Sequence, residues 1–274
     1  MLRNLAAIAA AVLFSIAQPV IASDLLVAPT RIVLDGNSGG EVMVSNTGDK
    51  TTTYRISLVL RRMDATGQIN PLDEALATPS DAAALDIINY APRKITLAPQ
   101  QPQTVRIGVR APPSLAPGEY RAHLLFRAVP DAATIDAPAP DAPKPGQPQG
   151  MSIALTPIYG IAIPVIVRIG AIEGKAVLAN AHLTPVADGA RVTVTLQRSG
   201  NRSVYGTLDV LAQGSSTPIS TVKGLAAYTE VASRDVSVTI ARDKLPAGPL
   251  VVRFTETDPA GGGAVVEAKV ARGA

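Results

Sequence analysis

The 274-residue sequence has no cysteine and no tryptophan, and only two histidines and three phenylalanines. Without thiols there is no disulfide, no thiolate nucleophile and no sulfur ligand for zinc, and two isolated imidazoles do not make a metal site. No metal and no cofactor are expected. Charge of one sign is also scarce: 25 Lys and Arg stand against 22 Asp and Glu, a formal surplus of +3 rather than a basic stripe, so nucleic acid is not the expected partner. Beyond the first two dozen residues no apolar run is long enough to span a bilayer. What is plentiful is aliphatic and turn-forming: 47% of residues are hydrophobic, enough for a sizeable core, and 23 Pro with 22 Gly are the punctuation of an all-β protein.

Arg3 is the only charged side chain before Asp24, residues 5–16 are apolar, and Gln18 and Pro19 follow. This reads as a secretory signal over residues 1–22, cut after Ala22 with Val20 at the minus-three position; an uncleaved anchor is the alternative. The remaining chain is then expected beyond the inner membrane, where, lacking cysteine, it relies on packing alone.

Short runs rich in β-branched or alternating apolar residues predict strands at 25–34, 41–46, 53–62, 94–97, 103–109 and 120–128. Turn residues separate them at Asp35-Gly36, Thr47-Gly48-Asp49, Asp64 to Gly67 and Pro117-Gly118. Residues 130–150, with six prolines among Ala, Asp and Gln, read as a solvated loop. Then Ile153, Leu155, Tyr159, Ile161, Ile163, Val165 and Val167 share one parity, predicting a single long amphipathic strand to Arg168. Pro157 and Pro164 in it differ in parity, which predicts a bulge at Gly160 or an early end to pairing near Pro164. Strand signals return at 176–180, 190–197, 205–211, 234–240, 250–257 and 265–270, with a Gly-rich hairpin at 260–263. The expected architecture is all-β, two immunoglobulin-like β-sandwich domains at 23–169 and 170–274.

Apparent catalytic motifs dissolve. Gly36-Asn37-Ser38-Gly39-Gly40 looks like the nucleophile loop of a chymotrypsin-like protease, but both histidines lie downstream of Ser38, so it reads as a hairpin turn. His123 and His182 read as strand residues with satisfied rings. The acid pairs Asp81/Asp86, Asp73/Glu74 and Asp136/Asp141 sit in loop-like sequence with nothing to separate their pKa values. Asn201-Arg202-Ser203 is a glycosylation pattern in the context of a turn. No nucleophile, base and orienter come together, and the chain is not expected to be an enzyme.

What remains is an ordered set of segments: APTRIVLDG at 28–36, VMVSNTG at 42–48, YRISL at 54–58, LDIINYAPRKITLAPQQPQTVRI at 85–107 and LAPGEYRAHLLFRAVP at 115–130. In this order they resemble the first domain of PapD-like periplasmic pilus chaperones, and the long strand to Arg168 sits where that family keeps its subunit-binding edge; the second half matches only in size and β character. The resemblance implies a periplasmic chaperone that binds pilin subunits by lending them an edge strand and hands them to an outer-membrane usher. It implies Ile153, Leu155, Tyr159 and Ile161 as the residues filling the subunit groove, although this parity can equally face the chaperone's own core. It implies Arg31 as the anchor for the subunit's terminal carboxylate. The family's second anchor, a Lys, falls on Pro164, with Arg106 or Arg168 as stand-ins. A secreted immunoglobulin-like structural or adhesive module is the alternative. An exposed aliphatic strand also invites self-association.

Overall fold

The computed structural model describes residues 24–130, 158–258 and 263–272. The signal segment, the 131–150 stretch, Ile153, Leu155 and Pro157 lie outside them.

In chain order the first half contains β1 (Leu25–Ala28), β2 (Ile32–Asp35), β3 (Gly39–Asn46), β4 (Thr52–Val59), β5 (Arg61–Met63), β6 (Ile69–Pro71), helix α1 (Pro79–Ile87), β7 (Ile88–Ala91), β8 (Lys94–Leu97), β9 (Pro102–Val109), β10 (Gly118–Val129) and β11 (Gly160–Ile169). One sheet runs β1-β3-β9-β7 and the other β2-β11-β10-β4-β8, with β5 and β6 as a separate hairpin. Val42, Val44, Val105 and Ile107 from the first sheet meet Ile56, Leu124, Phe126 and Val165 from the second in one buried core. The Tyr120 hydroxyl donates to the Ala116 carbonyl at 2.7 Å, the tyrosine corner of immunoglobulin-like sandwiches.

The 25–34 run is not one strand: β1 pairs with β3, and β2 lies in the opposite sheet, parallel to β11. The same switch recurs where β7 pairs with β9 and β8 with β4. Both breaks carry an Ala-Pro step, Ala28-Pro29 and Ala91-Pro92. A proline has no N–H for the ladder and a fixed φ, so pairing stops there and the chain crosses to the other layer. For this reason Gly36–Ser38 is not a hairpin turn but a tight link between sheets, closed by Ser38 N–H to the Asp35 carbonyl at 3.2 Å.

Helix α1 replaces the loop expected around Asp81 and Asp86. Thr78 and Asp81 cap each other's backbone N–H, Pro79 opens the first turn, and Ala84 and Ile87 anchor one side in the core.

The second half contains β12 (Gly174–Val186), β13 (Gly189–Gly200), β14 (Val204–Ala212), β15 (Pro218–Ala227), β16 (Ser233–Ala241), β17 (Leu250–Glu256), β18 (Val265–Lys269) and β19 (Ala271–Arg272). Sheets β16-β13-β12-β19 and β15-β14-β17-β18 enclose Val192, Val194 and Leu196 against Leu208, Val210, Val252 and Phe254. No strand is expected from the sequence at β15, whose first seven residues follow no regular period of burial and whose last three, Leu225 to Ala227, are all buried.

Candidate functional site

β11 and β10 pair without a register shift from Gly118↔Ile169 to Arg127↔Gly160, so there is no bulge at Gly160. The Ala128 N–H donates to the Tyr159 carbonyl at 3.2 Å, which sets the parity of the ladder. Odd residues of β11 bond to β10, while Gly160, Ala162, Pro164, Ile166 and Arg168 direct their backbone groups the other way. Pro164, opposite His123, therefore points its missing N–H away from β10 and interrupts nothing there. On that outer side β2 pairs only from Val165 to Arg168. The early end to pairing holds on this side alone: among the described residues, Gly160 and Ala162 have no strand partner for their outward backbone groups.

The side chains alternate the other way. Ile163, Val165 and Val167 are buried in the first-domain core, and Ile161 packs against it half-buried, so at Ile161 the own-core alternative is what the fold shows. Tyr159 and Ile158, at the end of the strand, are about half exposed, at 51% and 53%.

The other end of β11 enters the junction between the two sandwiches. Arg168 Nη1 and Nη2 donate to the two carboxylate oxygens of Asp258 at 2.7 Å each, and its Nε donates to Glu119 Oε2 at 3.2 Å. Arg31, in the link between β1 and β2, donates from Nη2 to Asp258 Oδ2 at 2.9 Å and lies 4.4 Å above the Tyr205 ring. Glu119 Oε2 also accepts from the Ser203 N–H and hydroxyl. Burial alone pulls the pKa of Arg168 down, but Asp258 and Glu119 outweigh it and hold the group above its ordinary value. Arg106 is elsewhere: it lies on β9 of the opposite sheet, exposed, beside Glu41 at 3.3 Å. It is not a cleft cation.

Asn201-Arg202-Ser203 is more than a turn. Arg202 is buried on Glu256, and Ser203 joins the Glu119 cluster. Nothing local in the sequence signals this, because the partners lie 54 and 84 positions away. A second bridge uses the β5–β6 hairpin. The Met63 N–H donates to Glu230 Oε1 at 2.7 Å, the Asp235 N–H donates to the Ala65 carbonyl at 3.2 Å, and Arg121 pairs with Glu230 while stacking on Tyr228. Met63, Ile166, Ala226 and Tyr228 form the apolar part of this junction.

His123 does not have a satisfied ring. It is 3% exposed on β10, and its Nδ1 has no hydrogen-bond partner. Burial, then the charges of Arg121 and Arg61, push its pKa down to about 3. His182, on β12, has its Nδ1 at 2.8 Å from the Asn180 carbonyl.

No family model and no curated protein matches the sequence. Among solved structures, the chain is similar to the YadV chaperone, at 13% identity with 90% of this chain and 99% of that one covered and a TM-score of 0.45. It is similar to the CsuC–CsuE chaperone–tip adhesion subunit complex of Acinetobacter baumannii, at 11% identity, 91% and 99% coverage and a TM-score of 0.45. It is also similar to the Salmonella enterica SafA pilin–SafB chaperone complex, at 14% identity, 89% and 95% coverage and a TM-score of 0.40.

Proposed function

We propose that this protein is a periplasmic chaperone that binds pilin subunits by pairing β11 with an incomplete subunit sheet. The observation that carries the reading is the outer edge of β11, where Gly160 and Ala162 have no strand partner among the described residues, on the same strand whose far end enters a cleft holding two arginines. Strand addition to an open edge is a known mode of recognition, of which chaperone–pilin complementation is an established case. Tyr159, with Ile153 and Leu155 before it, supplies the apolar side chains; Ile161 contributes through what its own core leaves exposed. Arg31 is the proposed carboxylate anchor: Asp258 takes its Nη2, and the side chain stays 12% exposed. Arg168 is the second cation, and an outer-membrane usher the proposed recipient.

The test is co-expression with a candidate pilin and affinity retention. Ala162→Pro removes one outward N–H and leaves the β10 ladder intact, so it is expected to cut retention in a folded protein; Arg31→Ala is expected to do the same. Equal retention by all three proteins overturns the edge and the anchor, and no retention of any candidate pilin by the wild type overturns the chaperone reading.

A second reading has one observation in its favour. Asp258 already holds both Arg31 and Arg168, so the two cations can be purely structural in an immunoglobulin-like adhesive or structural module. In that case Arg31→Ala lowers stability and changes no binding.

A further inference from the structure

The outer face of the β11 sheet carries a row of cations with no acidic partner among the described residues. Lys94 of β8 stands opposite Arg55 of β4, and Arg55 stands opposite Arg127 of β10, so the three side chains share one face on three adjacent strands. All three are exposed, and among the described residues none has a side-chain hydrogen bond or an ion pair. The spacing is unfavourable by itself. The Ile56 N–H donates to the Arg93 carbonyl, which makes Arg55 and Lys94 a non-hydrogen-bonded pair, the closer of the two antiparallel pair types. Like charges directly opposite each other destabilise a sheet.

The row ends at the open edge. Arg127 stands opposite Gly160 on β11, and Gly160 puts no side chain between the guanidinium and the unpaired outer side. A strand added there lies two strand spacings from β10, about 10 Å, which an Arg and a Glu side chain together reach across. The residues of the added strand that face this side are the alternate ones, opposite in parity to those covering the core. Toward the cleft the same face continues as Ser57, Leu125 and Ala162, then Val59, His123 and Pro164, none of which carries a charge at neutral pH. The acidic preference is therefore confined to one end of the edge.

We propose that the Lys94–Arg55–Arg127 row selects an acidic extended segment of the partner laid along the outer edge of β11, with Glu or Asp on the face away from the core. This rests on the strand-addition reading and adds to it the charge and register of the ligand.

The test uses two synthetic peptides with the same alternating aliphatic residues, one with Glu and one with Gln at the intervening positions, binding the full mature chain by fluorescence anisotropy. The Glu peptide is expected to bind about threefold more tightly at low salt, the worth of the one exposed pair within reach of Arg127 with Arg55 and Lys94 adding only screened attraction, and the preference is expected to fade at high salt. Arg55→Gln with Arg127→Gln is expected to abolish the preference and keep the Gln-peptide affinity, while Arg55→Lys with Arg127→Lys keeps the preference. Equal binding of both peptides to the wild type overturns the charge selection and leaves strand addition standing. No binding of either peptide overturns both. Row-dependent pelleting with phosphatidylglycerol vesicles, without preference between the peptides, also overturns the proposal by assigning the cations to a lipid surface.

Discussion

Asp258 of the second sandwich grips Arg168 of the first through both carboxylate oxygens at 2.7 Å, and its Oδ2 takes Arg31 as well, at 2.9 Å. One carboxylate thus links the strand proposed to bind subunits, the cation proposed to anchor them, and the neighbouring domain. Asp258 and Arg168 have side chains 0% and 7% exposed, so this is a desolvated pair whose parts need each other.

Asp258→Ala leaves two buried guanidinium groups short of an acceptor. The expected loss of stability is about 3–5 kcal/mol, the usual cost of removing one partner from a buried ion pair. Urea unfolding of the protein measures it; a midpoint equal to wild type means the junction contributes nothing.

His123 predicts how stability depends on acid. Its folded pKa, about 3, lies below the ordinary His value of 6.5, so the folded state resists the proton that the unfolded chain accepts. Its contribution is intact above pH 6.5 and is lost as the pH falls toward 3, by about 1.4 kcal/mol per unit at most. His123→Leu is expected to flatten this limb while the loss below the carboxylate range persists. Denaturant midpoints measured from pH 7 to pH 4 decide it: parallel curves for the two proteins remove His123 as the cause.

Pro164→Ala separates the two sides of β11. The restored N–H points away from β10, so no ladder bond is gained there and stability is expected to change by less than about 0.5 kcal/mol. The same N–H extends the row of outward donors, so retention of a strand, or self-association seen by sedimentation, is expected to rise. A large change in thermal stability without any change in association would place the N–H on the wrong side.

Much of the fold was legible from local signals. Alternation at Ile163, Val165 and Val167 located a strand with one apolar face, which the structure turns to the core, and Pro117-Gly118 ahead of Tyr120 marked the corner that starts β10. Thr78-Pro79 with Asp81 carried a helix start, and the alanines that follow favour a helix, so the loop expected there overlooked a local signal. The candidate site was legible only in part. Arg31 was singled out by its segment and does lie in the cleft, but its partner is 227 positions away. The direction in which Pro164 lacks its N–H depends on the pairing parity with β10, which no single strand reveals.

By itself the sequence determined the β character, the aliphatic cores and the absence of thiol chemistry, since these follow from composition and from a period of two along each strand. Only the tertiary structure decided which sheet each half of a proline-broken strand joins, which side of β11 stays open, and that Asp258 closes on Arg31 and Arg168. The physical reason is range. Alternation and turn preference act between neighbours in the chain, whereas backbone pairing and the desolvation of an ion pair depend on groups that only folding brings within 3 Å of one another.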